Sequence, residues 1–202
     1  MKSHGKYRGL LFVISGPSGS GKTTLAESLL KSRALKNKLI KSLSLTTRPK
    51  RSGEKNKRDY SFVSAAQFRR RLKNKKILEW TKYLGYYYGT PKDFIDKQIK
   101  LGRHTVLCLD LKGAGRLKQL YPKNSVTIFV LPPSLRELRR RIKQRCRHQA
   151  KAEEIEKRVR LAKKELLAVA KYDHCLVNKH FQKALNRLRG ITLQEISQRE
   201  GS

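Results

Sequence analysis

The sequence predicts a single α/β domain in which a mainly parallel sheet is flanked by helices. Three observations support this prediction. Short continuous apolar runs, such as Leu10–Ile14 and Val126–Leu131, are typical of strands buried on both faces of a sheet. Segments with apolar residues at helical spacing alternate with these runs. A glycine-rich loop at residues 16–21 joins the first strand to the first helix.

The first half of the chain begins with a strand, the loop and a helix. Leu25, Leu29 and Leu30 recur at helical spacing directly after the loop. The elements expected next are a strand at residues 39–44, a basic turn-rich stretch at 46–58, a β segment at 60–63, a helix at 65–74 and a strand at 77–80.

The second half begins with a helix that we expect Thr90 to cap. Its hydroxyl precedes Pro91, which suits the first helical position, and Asp93 follows in the first turn. The later elements expected are strands at 106–109, 126–131 and 175–177, amphipathic helices at 135–146 and 155–166, and a helical tail after residue 181.

Composition limits the function classes. The 202 residues include 38% hydrophobic residues, which excludes a disordered chain. No apolar run reaches the roughly 18 residues of a membrane span, and no signal-peptide core follows the basic N-terminus. We therefore expect a cytoplasmic protein without a membrane partner. Three scattered cysteines without a CxxC pair suggest neither a disulfide framework nor a zinc site.

The net charge of +34 is extreme and attracts polyanions. One interpretation is a solvated surface that reflects biased composition. The other is a surface that attracts nucleic acid non-specifically. The charge alone leaves both interpretations open.

The glycine-rich loop carries the first chemical motif. It follows an apolar strand and precedes a helix, as a phosphate-binding P-loop requires. Its backbone N–H groups and the helix N-terminus face phosphate oxygens, the lysine reaches the β- and γ-phosphates, and the threonine hydroxyl of the motif ligates Mg²⁺. The predicted ATP-binding residues are Gly16, Pro17, Ser18, Gly19, Ser20, Gly21, Lys22, Thr23 and Thr24.

A P-loop indicates nucleotide binding but no particular reaction. A GTPase would carry Asn-Lys-x-Asp after a late strand, whereas the residues at 178–181 read Asn-Lys-His-Phe. Asp110 ends a buried strand, where it can bind Mg²⁺ through water or cap the following turn.

Arginines form two further groups. Arg48 and Arg51 flank a turn near Tyr60, a combination that suits a phosphate monoester but also fits a solvated loop. The second group is thirteen basic residues at 136–164, on two helices joined by a polar turn. Such a hairpin suits a lid that shields phosphoryl transfer from water, although most of these charges are expected to be solvated.

Taken together, these residues resemble the guanylate kinase family over nearly the whole chain. The resemblance rests on the P-loop and on ordered blocks downstream of it. These blocks are Ser44–Arg48, Arg51–Glu54, Asp59–Ser64, Leu78–Trp80, Tyr87–Thr90, Asp110–Gly113, Phe129–Leu135 and Tyr172–Asn178.

The resemblance implies transfer of the γ-phosphoryl of ATP to GMP, and also to dGMP, with Mg²⁺ as cofactor. It implies that Glu79, with Ser44 and Thr90, reads the guanine edge, and that Asn178 contacts adenine. Asp110 would lie near Mg²⁺, through water, and near the monophosphate. The implied phosphate ligands of GMP are Arg48, Arg51, Tyr60 and Tyr88, and the implied catalytic residues are Lys22, Arg141, Arg145 and Arg158.

The implied architecture is a P-loop NTPase-like core with a small nucleoside-monophosphate-binding subdomain and a helical lid. The expected core comprises residues 8–40, 91–140 and 165–202, the subdomain residues 41–90 and the lid residues 141–164. Three departures from the family pattern are Cys108, where many relatives carry an acid, Lys112, and a longer turn at 146–151.

Two alternatives share this fold. One is a sister kinase that phosphorylates a ribose bisphosphate, against which Glu79 and the Ser44/Thr90 pair argue. The other is a non-enzymatic interaction module related to the family, against which the intact P-loop argues.

Overall fold

The computed structural model describes residues 9–83, 85–146 and 152–201. Within them the strands are β1 (Leu11–Ser15), β2 (Leu39–Lys41), β3 (Leu45–Thr46), β4 (Ser61–Phe62), β5 (Ile77–Tyr83), β6 (Tyr86–Pro91), β7 (His104–Cys108), β8 (Ser125–Leu131) and β9 (His174–Val177). The helices are α1 (Lys22–Leu30), α2 (Ala65–Lys73), α3 (Lys92–Lys100), α4 (Leu111–Leu120), α5 (Leu135–Cys146), α6 (Ala152–Leu166) and α7 (Phe181–Glu200).

The larger sheet has the strand order β2-β7-β1-β8-β9, and all of its pairs are parallel. Phe12 and Ile14 of β1 pack with α1 and α7 on one face. Leu11 and Val13 pack with α3 and α4 on the other face. Both faces of β1 are therefore buried, which explains its continuous apolar run. The predicted parallel α/β fold is confirmed.

The smaller sheet has the order β4-β3-β6-β5 and mixes parallel and antiparallel pairs. β5 and β6 form an antiparallel hairpin. A capping box between Ser64 and Gln67 starts α2. Phe68 of α2 packs with Leu45 and Ile77 in a separate core. This sheet stands beside the end of the larger sheet that carries the P-loop.

Two sequence predictions about local structure are wrong. The strand expected at 39–44 ends at Lys41, because the chain then leaves the larger sheet and joins the smaller one at Leu45. Thr90 does not cap a helix: it lies in β6, and α3 begins at Lys92 after Pro91 without a side-chain cap. The Thr90 hydroxyl instead serves the buried carboxylate described below.

Helices α5 and α6 pack against each other through Leu138, Ile142, Val159 and Ala162. The turn at 147–151, one of the family departures, lies outside the described residues. The expected lid boundaries fall inside α5 and α6, and the division into core, subdomain and lid stays a prediction. No helix in the described ranges is long and apolar enough to cross a membrane.

Candidate functional site

The P-loop lies at the carboxyl end of β1. Gly16, Gly19 and Gly21 all have positive φ angles, and a Cβ on Gly16 would lie 2.4 Å from the Val130 carbonyl oxygen. Glycine is therefore required there. Lys22 begins α1, and its ammonium donates to the Gly16 carbonyl at 2.8 Å. The first turn of α1 has neither an acid nor a side-chain cap, so its N–H groups remain directed at the loop.

The side chain of Asn178 stabilises this loop. Its side chain is buried, and its Nδ2 donates to the Ser20 carbonyl at 2.8 Å. A Cβ on Gly21 would lie only 2.3 Å from that nitrogen. The end of β9 thus fixes the shape of the P-loop, a role that the sequence did not indicate. The predicted contact of Asn178 with adenine stays a prediction.

A cavity of about 340 Å³ connects the P-loop helix with the smaller sheet. Thr23 lines it from α1. Five of the residues predicted to bind the acceptor line it as well, namely Ser44, Arg48, Arg51, Tyr60 and Tyr88. The fold therefore brings these five next to the P-loop helix, whereas Glu79, Thr90 and Asp110 are not among the residues that line this cavity.

Arg48 is the most constrained cation in this cavity. Its guanidinium is 8% exposed and lies 5.5 Å from the Tyr60 ring centroid. Nη2 of Arg48 donates to both carboxylate oxygens of Glu54, at 2.8 and 3.0 Å. Glu54 also accepts from the backbone N–H of Arg51 at 2.8 Å. One carboxylate therefore orders the turn that carries both predicted phosphate ligands.

The electrostatics of this group suit an anionic ligand. The hydrogen bond from Arg48 holds the pKa of Glu54 below its usual value, so Glu54 stays ionised. Burial raises the pKa of Tyr60, so its phenol stays a neutral donor. The sequence assigned no role to Glu54, although it is the one acid among the six cations of residues 46–58.

Glu79 is buried on β5, where the register against β6 is irregular between Ile77 and Trp80. The Thr90 hydroxyl donates to Glu79 Oε1 at 2.5 Å. Burial, aided by the charge of Asp110, raises the pKa of Glu79 to about 7. The carboxylate is thus held in place and easily protonated, which matters for a ligand that must donate hydrogen bonds to it.

Asp110 caps α4, because its Oδ1 accepts from the Gly113 backbone N–H at 2.8 Å. Gly113 also permits close approach, since a Cβ there would lie 2.7 Å from Glu79 Oε2. The capping interpretation of Asp110 is confirmed. The capping bond uses one lone pair of the carboxylate and fixes its position after β7. The remaining carboxylate lone pairs of Asp110 and the Thr23 hydroxyl are oxygen donors of the type that a hard cation such as Mg²⁺ prefers.

Two of the three predicted lid arginines can be located. Nε of Arg141 donates to Glu137 at 2.8 Å, and Nη2 donates to the Asn178 carbonyl at 3.2 Å. The guanidinium of Arg158 lies 5.9 Å from the ring centroid of Tyr83, which lines the cavity. The side chain of Arg145 lies outside the described residues.

Two further residues, Glu165 and Cys108, are close to the predicted site residues, although the sequence assigned neither of them a role in the site. Burial raises the pKa of Glu165, near the end of α6, while the charge of Lys22 lowers it and that of Asp110 raises it. Cys108, one of the family departures, lines the cavity, and burial raises the pKa of its thiol to about 11. The resemblance implies an acid at this position, and the structure places a neutral thiol there.

Comparisons with known proteins agree with this geometry. A family model described as guanylate kinase matches residues 8–195. A guanylate kinase of Caldanaerobacter subterraneus subsp. tengcongensis is 42% identical over 94% of this chain and 89% of its own length. One of Mycoplasma genitalium is 40% identical over 93% of this chain and 77% of its own length.

A solved structure shows the same fold. The crystal structure of guanylate kinase from Anaplasma phagocytophilum superposes with a TM-score of 0.76 at 31% identity, covering 94% of this chain and 87% of that one. The P-loop, the arginine-lined cavity and these matches over nearly the full length lead to one conclusion: the chain belongs to the guanylate kinase family.

Proposed function

We propose that this protein transfers the γ-phosphoryl group of ATP to GMP, and also to dGMP, giving ADP and the guanosine diphosphate. The observation that carries the proposal is the cavity that runs from Thr23 on the P-loop helix to Arg48 and Tyr60 on the other side. Its lining supports a monophosphate site next to a triphosphate site. A simple nucleotide hydrolase has no need of the second site.

The residues around the loop support ATP binding at the donor site. Backbone N–H groups of the loop and of the first turn of α1 would donate to the phosphates, and the Lys22 ammonium, which lies next to the Gly16 carbonyl, would bind the β- and γ-oxygens. Mg²⁺ would be held by the hydroxyl of Thr23 and, through water, by Asp110. When bound, the ion neutralises charge on the transferred phosphoryl group.

The acceptor site is built for an anion and a purine edge. Arg48 and Arg51 bind the monophosphate, with Tyr60 and Tyr88 as neutral donors. Glu79 accepts from the N1–H and the 2-amino group of guanine, while Ser44 and Thr90 complete the recognition. Adenine offers neither donor and would leave a buried carboxylate unpaired, which is a strong basis for selectivity.

Transfer is direct and in line between the two bound nucleotides. Arg141, Arg145 and Arg158 approach from the helical hairpin and stabilise charge on the phosphoryl oxygens. Closure of this hairpin excludes water, so that GMP and not water accepts the phosphoryl group. Positioning and charge neutralisation therefore supply most of the rate enhancement.

We also propose that the overall charge of +34 attracts nucleic acid. This property is additional to the kinase activity and does not depend on it.

The kinase proposal is tested by ADP formation with ATP and a panel of acceptors: GMP, dGMP, AMP and ribose bisphosphate. We expect turnover with GMP and dGMP and little with the other two. A preference for ribose bisphosphate would support the sister kinase instead. Glu79→Gln is the matched variant, because it keeps the shape but replaces one of the two acceptor oxygens with an NH₂ donor, and we expect it to reduce the preference for GMP over AMP by at least about tenfold.

A further inference from the structure

The smaller sheet has an outer face, turned away from the cavity, on which Tyr87 is the central ring. Phe68 stacks on Tyr87 at 5.3 Å, Trp80 lies 5.7 Å away, and the Lys82 ammonium lies 5.6 Å above the ring. Neighbouring residues in a strand point to opposite faces. Tyr88, next to Tyr87, lines the acceptor cavity, so the Tyr87 cluster lies on the opposite side of the sheet.

Aromatic surface on this hairpin remains open to solvent. Trp80, which lies on β5 on the same face as Tyr87, is 46% exposed. The Tyr87 ring contacts the Trp80 ring on one side. The exposed part of the Trp80 ring is therefore available for stacking.

Beside these rings stands a group of cations on and just after α2, here called the α2 cations: Arg69, Arg70, Arg71, Lys73 and Lys75. All five are exposed. In the described part of the chain, none of their side chains forms a hydrogen bond or an ion pair. The sequence has no acid between residues 60 and 78, so nothing nearby neutralises them.

The combination defines the chemistry of the partner. Phosphates along a strand would meet the α2 cations, and an unpaired base would stack on Trp80. A duplex keeps its bases stacked inside and offers only its phosphates. An acidic protein offers carboxylates to the cations but no repeated array of stackable bases beside them. We propose that the outer face, formed by the α2 cations, Trp80, Lys82 and Tyr87, binds single-stranded nucleic acid.

This surface extends the charge-driven attraction proposed above and is independent of the kinase reaction. None of its residues lines the acceptor cavity. Binding on the outer face therefore leaves the acceptor site open, and loss of one property does not imply loss of the other.

Trp80 is the only tryptophan of the chain, so its fluorescence reports directly on stacking. The probes are oligouridylate and oligothymidylate of about twelve nucleotides, within the range of single-strand site sizes, and a duplex of the same length. We expect both single strands to quench the fluorescence of the intact protein and the duplex to quench it weakly. Quenching that is absent with both strands, or equal with the duplex, overturns the proposal.

Charge variants separate this surface from the general attraction. The test variant carries Arg69→Gln, Arg71→Gln and Lys73→Gln. The control removes the same three charges from exposed positions on the core, through Lys123→Gln, Lys183→Gln and Arg187→Gln. At about 0.1 M salt we expect the test variant to bind a labelled single strand about tenfold more weakly than the control does. Equal weakening in both variants would contradict a localised site.

A Trp80→Ala variant, followed by anisotropy of the labelled strand, should bind about tenfold more weakly, whereas Trp80→Phe should retain most of the affinity. Turnover of GMP is measured on every variant as a check on folding, and we expect it to be unchanged. Intact single-strand binding in a protein that fails to phosphorylate GMP would count against the kinase proposal alone.

Discussion

The hydroxyl of Thr90 donates a 2.5 Å hydrogen bond to the buried carboxylate of Glu79, joining the two strands of the β5–β6 hairpin. The hydrogen bond orients the Glu79 carboxyl group, whose pKa is raised by burial. The residue proposed to give the site its selectivity therefore also makes it sensitive to pH.

Recognition of GMP should weaken as the pH falls below about 7. Guanine donates two hydrogen bonds, which an ionised Glu79 accepts and a protonated one accepts poorly. Because the pKa of Glu79 is raised to about 7, the KM for GMP should rise about tenfold per pH unit below that value. Steady-state kinetics at varied GMP, with the KM for ATP as control, check this. A KM for GMP that stays level down to about pH 5 would contradict it.

Replacing Glu79 by Gln should stabilise the folded protein above pH 7. The pKa of Glu79 rises from 4.5 to about 7 on folding, so the native state binds more protons than the unfolded state between these values. Stability therefore falls as the pH rises through this window, by on the order of 3 kcal/mol. Urea unfolding at about pH 8 and pH 4 should show a gain for the variant at the higher pH only. A gain of the same size at both would rule out ionisation as the cause.

Glu54→Gln should raise the KM for GMP about tenfold and change kcat less, because Glu54 orders Arg48 and the Arg51 turn without contacting the reacting atoms. The matched control is Asp93→Asn, which breaks an exposed pair with Lys76 and should have little effect. A lower KM in the Glu54 variant would mean that Glu54 only competes with phosphate for Arg48.

Lys22→Ala should lower kcat by several orders of magnitude and leave the fold intact, since we propose that its ammonium binds the β- and γ-phosphates of ATP during transfer. Circular dichroism and turnover with saturating GMP provide the two measurements. Normal turnover in a folded variant would favour the interaction module over the enzyme.

Asn178→Ala should raise the KM for ATP about tenfold and lower stability by about 1–3 kcal/mol, because the Ser20 carbonyl loses a buried donor. Asn186→Ala, an exposed amide on α7, is the control and should change neither quantity much. An unaffected KM for ATP would show that the loop keeps its shape without this bond.

The sequence predicted what is encoded in contiguous residues. The larger sheet and the P-loop were predictable because each of their patterns is complete within one run, as in β1 followed by Gly16–Thr23. The small mixed sheet was harder, because β3 and β4 contain two residues each and carry no periodicity.

One wrong prediction and two missed roles depend on tertiary contacts. Thr90 fits a capping pattern, yet its hydroxyl bonds to Glu79 on the neighbouring strand. Asn178 reaches Ser20 across 158 residues, which no local pattern reveals. Glu54 is close to Arg48 along the chain, but only the shape of the turn brings their side chains together.

The order of strands in the larger sheet has a consequence for how the chain folds. β2 and β7 are neighbours with Lys41 paired to Val106, although the smaller sheet is inserted between them. Pairing these strands closes a long loop, whose entropic cost grows only slowly with its length. Such non-local pairing slows folding. α2 and the smaller sheet have their own core around Phe68. If they form early, they shorten the flexible chain between β2 and β7, and their formation would then control the rate at which these two strands pair.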